Sequence, residues 1–168
     1  MIETARRPHA ALAHEGAGGS REPAEAVRAP LHGSLRPPAP DATLLSIEFG
    51  PTGLAEVRRF VRAFAAGNAL NAENSDALVL AVDELASNSV QYGGGGGTVH
   101  AWREADRLLL QVSDDGHVTE PLVGRLKPTA TQKRGRGLWL VNQLCELVQL
   151  RSSPAGTVVR IHASAPHR

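Results

Sequence analysis

Apolar residues recur along this chain at two spacings. From Leu54 they fall at Val57, Phe60, Val61 and Phe64, steps of three and four that put them on one side of a helix. That helix is expected to end near Gly67, with Thr52 as its N-cap and Glu56 where the helix dipole favours a negative charge. Arg58, Arg59 and Arg62 lie off the stripe and read as a solvated face. A second helical pattern, Leu78, Ala81, Val82, Leu85 and Ser89, runs to about Tyr92 and gives way to Gly93–Gly97. Asn74 or Ser75 is its expected cap. A third helix is expected after Gly135 and Gly137, with Leu138, Val141, Leu144, Cys145 and Val148 on its apolar side. Shorter runs read as strands: Leu44–Phe49, Thr98–Arg103, Arg107–Ser113 and Gly156–His162. Glu104, Ala105 and Asp106 form a hairpin loop between the middle two. The segment from His117 to Arg134 has no period, and loops of that length are lids or unstructured stretches.

The first 41 residues, rich in Ala, Pro, Gly, Arg and His, also lack a period and are expected to be a disordered tail. The resulting division is a tail over 1–42, a domain over 43–163 and a short C-terminal tail over 164–168. The 168 residues are 42% apolar, enough for one packed core. A net charge of +1 and only 4% aromatic residues argue against a nucleic-acid or membrane surface. No apolar run is long enough to span a bilayer, and no signal-peptide pattern follows Arg6 and Arg7. The lone Cys145 allows no internal disulfide and suits a reducing compartment, so a cytoplasmic location is expected.

Three segments carry candidate chemistry. Glu84 and Asn88 lie four apart, hence on one helix face beside the apolar stripe. They are either ordinary solvent-facing residues or a pair that holds a metal ion and activates a hydroxyl. Asp114, Asp115 and Gly116 end a strand, which is either a plain Asp-Gly turn or a ligand contact. Gly135 and Gly137 open a helix, where free amides and the helix dipole favour an anion, and Lys133, Arg134 and Arg136 add positive charge. The glycine run is not a Walker A loop, because no Gly-Lys-Ser/Thr follows it.

In this order, E-L-x-x-N on a helix, D-x-G at a strand end, G-x-G-L opening a helix and Gly156-Thr157 resemble the ATP-binding domain of histidine kinases, the Hsp90 chaperone, gyrase B and MutL. Within that group the chain looks most like small bacterial anti-sigma factors that act as serine/threonine kinases. The resemblance covers about Leu44 to Ile161 and lacks the histidine-bearing dimerisation segment of histidine kinases. It implies an α+β fold, a two-layer sandwich of a mixed, mostly antiparallel sheet with helices on one face.

The resemblance also implies roles. Asn88 is the residue for Mg²⁺, and Glu84 the general base toward an acceptor hydroxyl. Asp114 would accept from the adenine amino group, Gly116 would let the backbone approach the base, and Thr157 would lie near it. Gly135, Arg136, Gly137 and Leu138 would form the phosphate side of the ATP site. The function implied is phosphorylation of a serine on an antagonist protein, with a sigma factor held in the alternative complex. A homodimer is also implied. The alternative is a nucleotide-dependent partner-switching module without kinase activity. Two positions depart from the family pattern: Val118 stands where D-x-G-x-G has its second glycine, and Tyr92 where many relatives have histidine.

Overall fold

The computed structural model describes residues 34–119, 124 and 136–166. Strand β1 (Leu45–Phe49) leads into helices α1 (Leu54–Gly67) and α2 (Ala72–Tyr92). Strands β2 (Gly97–Glu104) and β3 (Arg107–Asp114) form a hairpin, then come helix α3 (Arg136–Leu144) and strands β4 (Leu147–Ser153) and β5 (Gly156–Ser164). The strand order is β1-β2-β3-β5-β4, and every pairing is antiparallel. The sheet was expected to be mixed and mostly antiparallel; here strands that run the same way, such as β1 and β3 or β3 and β4, are always separated by an antiparallel strand, so no parallel ladder forms.

The alternation of side chains across the sheet decides where the core sits. Val99, Ala101, Leu108, Leu110, Val112, Val159 and Ile161 point to one face and pack against the helices. Helix α1 contributes Val57, Val61 and Phe64, the stripe read from the sequence. Helix α2 is the central piece, with Leu78, Val79, Ala81, Val82, Leu85, Ala86 and Ser89 all buried. Helix α3 is held by Leu138 and Val141. Arg58 pairs with Asp83 of α2 at 2.8 Å, and Arg59 with Glu56 of its own helix at 2.6 Å.

Both expected caps move. A turn closed by Gly53 N donating to Gly50 O at 3.0 Å carries the chain past Thr52, and Gly53 becomes the α1 N-cap without a side-chain bond. At α2 the cap is Asn71, whose side chain accepts from Asn74 N at 2.8 Å. The helix starts early because the link from α1 is tight: Leu70 N donates back to Ala65 O at 3.0 Å, with Ala69 at φ 56°.

The third helix is shorter than its apolar pattern. It stops at Leu144, and Val148 lies on β4 instead. In Leu147–Ser153 the side chains alternate, with Val148 and Leu150 facing the core, a period-two pattern hidden inside a run that also satisfies helical spacing. Cys145 lies at the bend between them, partly buried against the core. Burial pushes its thiol up to about 12, so it stays protonated and unreactive at neutral pH. No helix among the described residues is long and apolar enough to cross a membrane.

Residues 1–33 of the expected tail lie outside the described residues, but Ser34, Leu35, Pro37 and Pro38 lie against the sheet's other face, lining a cavity with His100, Trp102 and Arg160. Glu104 gathers this stretch: its carboxylate accepts from Arg36 at 2.9 Å, from Ala39 N at 3.1 Å and from the Trp102 indole at 2.9 Å. Arg160 stacks on Trp102, 4.9 Å from the ring centroid, and donates to Arg36 O at 2.7 Å. The indole bond, the Ala39 amide and Arg36 hold the Glu104 carboxyl below the usual glutamate range, with partial burial opposing them.

Trp102 is 1% exposed, so its indole N–H has no ready access to water if Glu104 is removed. Glu104→Ala should therefore cost about 1–3 kcal/mol, the penalty of an unsatisfied buried donor. Glu104→Gln keeps an acceptor and loses mainly the exposed Arg36 pair, so it should cost under about 1 kcal/mol. The lowered folded pKa makes the ionised carboxylate's contribution present above the unfolded value and lost as pH falls through the folded one. The gap between wild type and Glu104→Gln should accordingly close in acid. Denaturant unfolding of the three proteins at neutral and acid pH measures all of this.

Candidate functional site

Strand β3 delivers Asp114 to its end, opposite Thr157 of β5. Both carboxylate oxygens are held. Oδ2 accepts from Ser89 Oγ at 2.6 Å, and Oδ1 accepts from Gly116 N at 2.8 Å. Ser89 Oγ also lies 3.1 Å from Leu85 O, but its single proton favours the shorter, charge-assisted bond to the carboxylate. A carboxylate has about four acceptor positions, so Asp114 keeps lone pairs for a further donor.

The backbone is drawn in close around it. Gly93 caps α2, donating to Ser89 O at 2.8 Å and accepting from Asp115 N at 3.2 Å. A Cβ on Gly93 would collide with the Asp114 carboxyl carbon. One on Gly116 would fall 2.9 Å from Tyr92 O and 3.0 Å from Asp114 Oδ1. Gly94 and Gly95 turn the chain with φ of +92° and +97°, which L side chains rarely adopt. A cleft of about 690 Å³ opens beside this end, lined by the glycine run, Asp114, Asp115 and Thr157. Thr157 is buried and donates to Gly116 O at 2.7 Å.

The second cluster lies where α2 meets α3. Glu84 and Asn88, both half-buried, stand one turn apart on α2. Gly137, in the first turn of α3, is seated against them. A Cβ there would lie 2.5 Å from Glu84 Oε2 and 3.3 Å from Asn88 Nδ2. Leu138 is turned inward, into the core. Gly124, at φ +73°, rests on Leu138, and its carbonyl accepts from Asn142 Nδ2 at 3.2 Å. Arg136 is exposed at the start of α3, while Gly135, Lys133 and Arg134 lie outside the described residues.

The sequence-derived residues thus fall into two groups on one helix. Glu84, Asn88 and Gly137 form one; Asp114, Gly116 and Thr157 form the other, tied to α2 through Ser89. Sequence reasoning put Ser89 on the apolar stripe, where it is in fact buried, and did not ask what its hydroxyl bonds to. A hydroxyl at a core position needs a partner, which was the available signal. Ser152, which joins the Thr157 network, was missed with the strand that carries it.

Among the described residues no three His, Cys, Asp or Glu side chains cluster as a metal site. A carboxamide and a carboxylate one turn apart suit a different arrangement: Mg²⁺, which takes few protein oxygens, keeps waters and bridges substrate phosphates. The Asn88 carboxamide has the hard oxygen that such a cation takes, and the fixed Asp114 carboxylate fits an amino group.

Residues 47–163 match the family described as the histidine kinase-like ATPase domain. The crystal structure of the RsbU and RsbW domains of a Mycobacterium tuberculosis protein superposes with a TM-score of 0.54 at 20% identity, over 75% of this chain. The match spans about a third of that structure's chain, 34%. The Acinetobacter baumannii histidine kinase AdeS gives a TM-score of 0.48 at 14% identity, over 74% of this chain and 70% of its own. No curated protein matches. The family match covers well over half of the sequence and includes both clusters: the chain belongs to the histidine kinase-like ATPase domain family.

Proposed function

We propose that this domain binds ATP with Mg²⁺ and transfers phosphate to a serine of an antagonist protein, in the manner of anti-sigma factor kinases. The observation that carries the reading is Gly137 seated on Glu84 and Asn88. A metal-binding carboxamide, a carboxylate base and a close backbone approach are what phosphoryl transfer asks of a protein, since it is mainly positioning and charge neutralisation. The likeness to a structure containing an RsbW domain supports the same class of activity. Release and capture of a sigma factor would accompany the change of partner.

When bound, ATP with Mg²⁺ would supply the phosphoryl group and the metal would neutralise its charge. Asn88 would hold the metal. Glu84 takes the proton of the attacking serine hydroxyl. Asp114, fixed by Ser89 and Gly116, accepts from the adenine amino group. Arg136 would add charge at the phosphate end, where the first turn of α3 offers backbone amides.

ATP and ADP should raise the melting temperature by linkage, and GTP should not, because its 6-oxo group presents an acceptor to an acceptor. Asp114→Asn should weaken this effect. Equal stabilisation by GTP would remove the adenine role of Asp114.

The two residues of the α2 pair should separate. Asn88→Ala should remove most Mg²⁺-dependent nucleotide affinity. Glu84→Ala should leave affinity largely intact and slow transfer by roughly 10²–10⁴-fold, the usual worth of a general base. The assay is γ-phosphate transfer to the antagonist protein recovered from the native cell, beside an ATP titration of each variant. Wild-type protein that binds ATP and the antagonist yet transfers nothing is instead a partner-switching module.

Gly137→Ala tests the seating. Alanine should favour the helix by about 1 kcal/mol over glycine. Its Cβ meets chiefly the end of the Glu84 side chain, which can swing away. Stability should stay level or rise while transfer falls, and unchanged transfer would show that the carboxylate position is immaterial.

A further inference from the structure

Ser152 stands outside every motif in this sequence, yet it is only 6% exposed and its hydroxyl is engaged twice. It accepts from Val118 N at 2.8 Å and lies 2.7 Å from Thr157 Oγ1. Thr157 Oγ1 in turn lies 2.7 Å from Gly116 O. The direction of each bond follows from proton counting. A carbonyl only accepts, so Thr157 spends its one proton on Gly116 O. The Ser152–Thr157 bond must then use the Ser152 proton. Val118 N–H, Ser152 O–H and Thr157 O–H therefore run head to tail into Gly116 C=O, a ring that closes through the backbone of residues 116–118.

We propose that Ser152 is a positioning residue for the base-binding end of the site, acting through this ring. It holds Gly116 by its carbonyl, while the Gly116 amide holds Asp114 Oδ1. Gly116 O takes the Thr157 proton, so toward a ligand Thr157 only accepts, and Asp114 and Thr157 present an edge without a donor. That edge matches a 6-aminopurine and opposes a 6-oxopurine. Val118, which replaces a glycine of the family pattern, is the residue whose amide Ser152 captures. The selectivity half of this inference rests on the nucleotide reading of the site; the ring does not.

The test uses the full chain as wild type, Ser152→Ala, Ser152→Thr and Thr157→Val. Hydrogen exchange at the Val118 amide is read without ligand, and ADP and IDP affinities are read by calorimetry. In Ser152→Ala the Val118 amide should exchange at least about tenfold faster. ADP affinity should fall roughly tenfold, about one hydrogen bond's worth, with IDP affinity little changed, so the ADP preference shrinks by the same factor. Ser152→Thr should restore both. Thr157→Val removes the next two bonds of the ring without touching β4, and should also speed Val118 exchange, by less than Ser152→Ala because Ser152 Oγ still accepts from that amide. Val118 exchange that matches wild type in both ring-opening variants would overturn the ring. ADP and IDP affinities falling together would overturn the selectivity role, since general loosening affects both. Wild-type protein that binds neither nucleotide defeats the nucleotide reading alone, and the exchange measurement still decides the ring.

Discussion

The bond from Ser89 to Asp114 joins the two layers of this fold, helix to sheet, through two polar side chains. Ser89 is 1% exposed on the buried side of α2, and Asp114 closes the central strand of the sheet. A carboxylate drawn into such a position needs donors, because an unpaired buried charge costs far more than one hydrogen bond returns. The helix supplies one donor and the chain just past the strand supplies the other. Everything nearby has had to become small to let them meet. Gly93 and Gly116 have no room for a side chain, and a Cβ on Gly156 would lie 2.5 Å from Asp114 O.

The walls of the site differ in how firmly they are held. Helix α2 buries seven residues, whereas α3 buries two, Leu138 and Val141. At about 1.5–3 kcal/mol for each large apolar side chain fully buried, α3 has a much smaller hold on the core. Elements with few buried apolar contacts open locally at lower free energy. Glu84 and Asn88 therefore sit on the rigid wall and Gly137 on the compliant one. The stiffer of the two helices is thus the one that carries the Glu84–Asn88 pair.

Much of this was legible in the chain. The α1 and α2 stripes, the β2–β3 hairpin and the positions of Glu84, Asn88, Asp114, Gly116 and Gly137 all follow from spacing or from family resemblance. What was not legible was set by tertiary contacts. Val148 satisfies helical spacing from Leu144, and only the ladder with β5 makes it a strand residue. Losing β4 meant losing Ser152. The Asn71 cap depends on how tightly α1 turns into α2, which no local pattern states. Ser89 looks interchangeable with alanine until the carboxylate it serves is in view.

The strand order has a consequence for how the molecule is made. The last strand in chain order, β5, takes the slot between β3 and β4. Until residues 156–164 have left the ribosome, β3 has no partner on that side and β4 has none at all. Helices α1 and α2 and the β2–β3 hairpin can collapse earlier, since their contacts are nearer in sequence. Thr157 arrives only with β5, and with it the last bonds around Gly116. The Asp114 end of the site is thus completed after the helices that frame it, and a nascent chain stalled before Gly156 would expose an unpaired β3 edge of the kind that recruits other chains.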